Sequence, residues 1–343
     1  MSRKAILCLA AWISLFGSVA SRASEIHVRE IGPIVITVRD MDRSVDFYSR
    51  VLTFQAVSDN EVAGDDVEHY FGVFGARVRL VRMTLGDESI ELAQFVAPQG
   101  RSIPEDSRSN DVWFQHIAVI VSDMDLAYKQ LRAAKVAFAS SGPQRLPDWN
   151  KNAAGISAFY FKDPDGHPVE VLQFPPDKGA AKWHDKSGRI FLGIDHTAIV
   201  VTNTDASLAF YRDLLGLRVA GESDNYGTEQ EHLNNVFGAH LRITALRAPS
   251  GPGIELLEYL APRDGRPIPV DEHANDIVHR QTELLVDSAD GSVAPLRASH
   301  VRFISSSATA IHEAGLGFAS GLIVRDPDGH ALSLMQTAPS SPR

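Results

Sequence analysis

A chain of 343 residues with 44% hydrophobic and 22% charged residues is globular in make-up and long enough for two ordinary domains, which excludes a disordered or membrane-embedded chain. Its formal charge of -10 argues against nucleic acid or an anionic membrane as the main partner. The first predicted element is an export signal over residues 1–23. Arg3 and Lys4 form a charged start, Ala5 to Phe16 is apolar, and Ser18-Val19-Ala20 or Ser21-Arg22-Ala23 offers a cleavage site. The apolar run is short for a membrane span, so the mature chain is expected to be periplasmic or secreted, with no membrane partner after cleavage. Cys8, the only cysteine, lies in this signal, and cleavage leaves no thiolate ligand and no disulfide.

Beyond the signal the chain repeats itself. Asp-Pro-Asp-Gly-His occurs at 163–167 and again at 326–330; Phe47-Tyr48 recurs as Phe210-Tyr211, and Val73-Phe74-Gly75-Ala76 as Val236-Phe237-Gly238-Ala239. Gly100-Arg101 and Asn110-Asp111 return as Gly265-Arg266 and Asn275-Asp276. One near-constant offset relates these pairs, so the chain is a tandem duplication with copies at 28–176 and 190–338. Each copy divides again, into modules 31–97 and 112–175, then 192–262 and 276–337. Every module opens on a strand-like run: Pro33 to Val38, His116 to Val121, His196 to Val201 and Gln281 to Val286. Helical spacing follows in three, with Val45, Tyr48 and Val51 in the first, Leu131 in the second, and Leu208, Tyr211 and Leu214 in the third. The fourth has a shorter, less regular stretch around Ala294-Pro295-Leu296. Three strands are then expected, with Asp-Gly in the two repeated turns joining antiparallel neighbours.

Strand, helix, three strands, four times over, is an α+β pattern of βαβββ modules. With Ile194-Asp195-His196-Thr197-Ala198-Ile199-Val200-Val201, Phe210-Tyr211-Arg212-Asp213-Leu214-Leu215-Gly216-Leu217 and the two repeated turns, it resembles the vicinal oxygen chelate superfamily of glyoxalases, bleomycin-resistance proteins and extradiol dioxygenases. The resemblance spans roughly residues 30–338. It implies two curved mixed sheets, each made of two modules around one divalent metal ion. It also implies two metal positions per module: Pro33, His116, His196 and Gln281 on the first strands, and Glu91, Glu170, Glu255 and Ser333 on the last.

Imidazole and carboxylate suit Ni, Zn, Co, Fe or Mn. Pro33 and Ser333 are not ordinary ligands, whereas Gln281 can serve through its amide oxygen, as in some glyoxalases. If the modules pair inside each copy, one site holds Glu91, His116 and Glu170 and the other His196, Glu255 and Gln281. If module two pairs with module three, an exchange known in this superfamily, one site holds His116, Glu170, His196 and Glu255. That full set resembles the bacterial glyoxalase I pattern, and it is the expected metal site. Glu91, Gln281 and His279 are the weaker candidates. His167 and His330 read as turn residues, and Trp113, Trp149 and Trp183 as packing. Glu68-His69 and Glu231-His232 fit a cavity wall or an exposed loop equally; Arg101 and Arg266 fit an anion clamp or a loop surface.

The resemblance implies a metal-dependent lyase or isomerase acting on a small hydroxy-carbonyl substrate, with Glu170 or Glu255 moving the proton. Glutathione fits poorly with an exported protein. The alternatives are an extradiol-type ring-cleaving dioxygenase and a small-molecule binding protein without catalysis. The molecule is expected to be a monomer or homodimer.

Overall fold

The computed structural model describes residues 26–185 and 187–337, so the export-signal reading lies outside the described residues. Two mixed sheets carry the structure, and neither is made from one copy. Counted from one edge, the first sheet runs Arg302–Phe303, Ser320–Arg325, Ala331–Gln336, Arg280–Val286, Val28–Thr37, Glu88–Ala97, Arg77–Leu85 and Gln55–Ala63. It joins module four to module one. The second runs Arg218–Tyr226, His240–Arg247, Gly253–Ala261, Phe191–Val201, Gln115–Val121, Pro168–Gln173, Ser157–Lys162 and Ala137–Phe138, and so joins module three to module two. At each centre the two opening strands lie antiparallel, each flanked by the parallel closing strand of its own module.

Strand alternation explains how one chain serves both sheets. Ile34 and Ile36 on the first sheet, and Ile117 and Val119 on the second, point to one core covered by the helices Met41–Leu52 and Met124–Ala133. The second copy builds a like core from Ile199, Val201, Leu284 and Val286 under Thr204–Leu208 and Ala289–Ala298. Each core is therefore built mainly from one copy, with a few residues from the other such as Phe191 and Ile194 in the first and Val28 and Ile31 in the second, whereas each concave face forms between copies. Reciprocal latches hold the exchange: Arg101 pairs with Asp276 at 2.6 Å, and Arg266 with Asp111 at 2.7 Å. These arginines are cross-copy ties. His167 and His330 are buried turn residues with the same task. Each ring is bonded through Nδ1 to the Asp of its own turn, and through Nε2 to a carbonyl of the other copy, Ile277 O at 2.7 Å and Val112 O at 2.8 Å.

Three details depart from the expected elements. The fourth module has a regular helix, Ala289–Ala298, capped by Ser288 and tolerating Pro295 inside it. Short helices Asp65–Phe71 and Thr228–Asn234 fall where no helix was expected, and both dipeptides Glu68-His69 and Glu231-His232 lie on them. In modules two and four the strand after the helix is broken into two-residue pieces, freeing the loops 146–156 and 311–319.

A candidate metal centre in one of two cups

The floor of the second cup is set by cross-strand register. Glu255, Ala198 and His116 stand in one row across three strands, and His196, Ala118 and Glu170 in the next. Residues in one row share a face. The two central alanines leave room for the four longer side chains to converge. His116 Nε2 lies 3.2 Å from Glu170 Oε2, and His196 Nε2 lies 3.6 Å from the same oxygen and 3.4 Å from Glu255 Oε2. His116, Glu170 and His196 are buried, while the Glu255 side chain keeps about a quarter of its exposure. Neither ring nitrogen of His116 has a hydrogen-bond partner among the described residues, although both are buried. A buried imidazole with no hydrogen bond, its Nε2 merely close to the Glu170 carboxylate, is costly; a ring aimed at a ligand position explains it. His116, Glu170 and His196 bring ligand atoms within 4.8 Å of one another, and Glu255 adjoins them through His196; imidazole and carboxylate donors suit a borderline divalent cation.

His196 is held from behind. A register shift between Ile194 and His196 breaks the alternation, so Asp195 reaches the side where His196 points. Its carboxylate accepts from His196 Nδ1 at 3.0 Å, from Arg247 at 2.7 Å and from the Trp183 indole at 3.1 Å. This carboxylate fixes the ring and leaves Nε2 for the centre, the usual support of a metal-binding histidine. Trp183 belongs to the segment between the copies; it packs, as expected, and also orients Asp195. Burial alone would raise the Glu170 carboxyl, but the nearby imidazoles of His116 and His196 hold it at about 2. Burial alone would lower His196, yet Glu255, Asp195 and Glu170 lift it to about 10.

Above this floor opens a cleft of about 960 Å³ with walls that include Tyr160, Leu233, Leu257 and Ala245. Lys151, Lys178, Lys182 and Arg218 also line it. Tyr160 lies with its ring centroid 4.9 Å from that of His116.

Comparison with known proteins gives the family. The sequence pattern of the Glyoxalase/Bleomycin resistance protein/Dioxygenase superfamily matches residues 30–171 and again 193–334. The chain belongs to that superfamily. A 2-epi-5-epi-valiolone epimerase from Actinomyces sp is 31% identical over 149 residues, 41% of this chain and 78% of its own length. A lactoylglutathione lyase from Pseudomonas putida is 27% identical over 161 residues, 41% of this chain and 83% of its own. Glyoxalase I from Zea mays shares the fold at TM-score 0.58 and 14% identity, covering 90% of this chain and 92% of that one.

The other cup of this glyoxalase-superfamily chain gathers Glu91 and Gln281 without making a comparable centre. Pro33 and Ser333 offer no imidazole or carboxylate. Glu91 is paired with Arg82 at 3.0 Å, and Glu283, which takes the central place that Ala118 has opposite, lies 3.8 Å from the same guanidinium. His279 is engaged through both nitrogens, with Glu272 at 2.7 Å and with the Gln281 amide oxygen at 3.3 Å, so neither residue reaches the His116–His196 group. Asp195, Trp183 and Arg247 were missed as site residues in the sequence. One signal existed: Asp195 stands where the first copy has Gly32.

Proposed function

We propose that this chain is a divalent-metal-dependent lyase or isomerase of glyoxalase type that moves a proton on the carbon next to a carbonyl of a small substrate. The observation that carries this reading is the convergence of His116, Glu170, His196 and Glu255 on the floor of the cleft. A divalent ion held by these four side chains supplies a Lewis acid for a carbonyl or enediolate oxygen. The residues divide the remaining work. Glu170, buried and ionised between two imidazoles, is a fixed ligand. Glu255 is more exposed and touches only His196 in the group, so it is the carboxylate free to take a proton from the substrate carbon. Returning that proton to the neighbouring carbon gives an isomerase, and returning it to the opposite face gives an epimerase; neither outcome requires a net change of oxidation state. Leu233, Leu257 and Tyr160 give the cleft an apolar wall beside the site. The relatives named as an epimerase and a lyase support this class.

The test does not require the natural substrate. Metal-loaded protein is incubated in heavy water with dihydroxyacetone, acetoin and the methylglyoxal–glutathione adduct, and exchange at the carbon beside the carbonyl is followed by NMR. Catalysed exchange that disappears in Glu255→Gln supports the proposal; its absence across the panel, with metal bound, overturns it. A second reading, an extradiol-type dioxygenase, draws on the buried His116, Glu170 and His196 set, which supplies two imidazoles and one carboxylate for Fe(II). Oxygen uptake by the iron-loaded protein with catechol, and no proton exchange, would select it. We also infer export, from the ordered charged, apolar and small-residue zones of residues 1–23. N-terminal sequencing showing intact Met1 in the cytosol removes that inference.

A further inference from the structure

We propose that the substrate carries an anionic group at the end remote from the metal centre, and that Arg218 recognises it, assisted by Lys151. This rests on the metal-site reading above and adds a substrate class to it. Arg218 lies directly across from Arg247 in the sheet, and both line the cleft, while their neighbours Val219 and Leu246 face the core. Like charges paired across strands repel. Arg247 is neutralised by Asp195, whereas Arg218, exposed at the mouth of the cleft, has no ion-pair partner among the described residues. Lys151, on the loop 146–156, likewise has none, and that loop is pinned to the strand of Arg218 by Asn152 Nδ2 donating to Glu222 O at 2.6 Å.

The other cup supplies the contrast. There, Gln55 and Thr84 form the corresponding cross-strand pair, with no charge at all. The double cation therefore occurs only where a cleft is open. Register also sets the distance. Arg218, Arg247, Gly253 and His196 follow one another across four strands, so the backbones of Arg218 and His196 are about 14 Å apart. A guanidinium binds a carboxylate or phosphate oxygen pair in bidentate fashion, and both groups satisfy the geometry.

The experiment uses the zinc-loaded full chain and calorimetric titration with three probes of one chain length: octanohydroxamate, suberic monohydroxamate and a phosphonate-ended analogue. The hydroxamate chelates the metal in each, and only the far end differs. An anionic end is expected to tighten binding about tenfold or more, with the advantage lost in Arg218→Gln and reduced in Lys151→Gln. Zinc stoichiometry and octanohydroxamate affinity are expected to stay unchanged in both variants. A larger gain for the phosphonate assigns a phosphate ester, and a larger gain for the carboxylate assigns an acid. Equal affinity for charged and neutral ends, or an advantage that survives Arg218→Gln, overturns the proposal while leaving the metal site standing. Failure to bind zinc overturns both.

Discussion

At Ala245, Leu233 and Ala153 the open cup has space; at the corresponding places the other cup has Arg82, Tyr70 and Leu316. Phe318 packs on Tyr70, with ring centroids 5.1 Å apart, and Phe71, Val62 and Ile323 complete an apolar plug. The floors differ in the same sense. Ala198 and Ala118 sit at the centre of the open cup, Val35 and Glu283 at the centre of the filled one. The support of the ligands changes as well, since Asp195 and Arg247 correspond to Gly32 and Thr84. In the filled cup a guanidinium lies between two carboxylates, a place comparable to that of a cation between ligands. Ligands, their support and the space above them differ together. One cup is packed with side chains, and the other keeps an open cleft over a group of imidazoles and carboxylates.

The most severe way to break this comparison is to remove an imidazole. His116→Ala and His196→Ala are each expected to abolish stoichiometric metal binding by the purified protein, measured by elemental analysis, whereas Gln281→Ala and Glu91→Ala leave it unchanged. Equal losses from both groups would mean that two centres share the metal. Next in size is Glu255→Gln, expected to slow proton exchange by about 10²–10⁴-fold. Metal content should persist, because the other three donors remain; a variant that keeps its rate moves the proton-transfer role to Glu170.

Asp195→Asn should weaken metal affinity by about 10–100-fold, since His196 loses the carboxylate that fixes its ring. Competition with a chromophoric chelator measures it. A purely structural role predicts instead a lower melting temperature with affinity intact. Arg82→Met addresses the filled cup, where Glu91 and Glu283 would lose their counter-charge. About 1–3 kcal/mol of stability should disappear, after allowing for the part of Arg82 that solvent reaches, with no change in metal content. Urea denaturation reads this directly, and any fall in metal stoichiometry would show that the cups are coupled.

The smallest effect concerns pH. Burial, then repulsion from Glu91, raises the Glu283 carboxyl well above its ordinary range, against the pull of Arg82. A group that holds its proton longer in the folded state than in the unfolded state costs stability as pH rises from the unfolded value towards the folded one. Stability should therefore decline from about pH 5 upward through this group, and Glu283→Gln should flatten that slope. An unchanged slope would remove Glu283 as its source.

Much of this was legible without coordinates because it depends on local pattern. Repeated turns, helical spacing and the phase of apolar residues gave four modules, and the residue types at equivalent strand positions singled out His116, Glu170, His196 and Glu255 as the complete donor set. These signals survive in one dimension because strand alternation and turn chemistry act over a few residues. Which modules share a sheet is a matter of long-range pairing, seen in the antiparallel central strands and in ties such as Arg101 to Asp276 and Arg266 to Asp111, which no local window contains. The same holds for Asp195, whose role needs a bulge to bring it beside its neighbour's ring, and for Trp183 and Arg247, which reach it from other segments. Tertiary structure also decided that one cup is a cleft and the other a plug. That outcome turns on side-chain volumes meeting across strands and loops, a property of packing in three dimensions that residue order alone does not display.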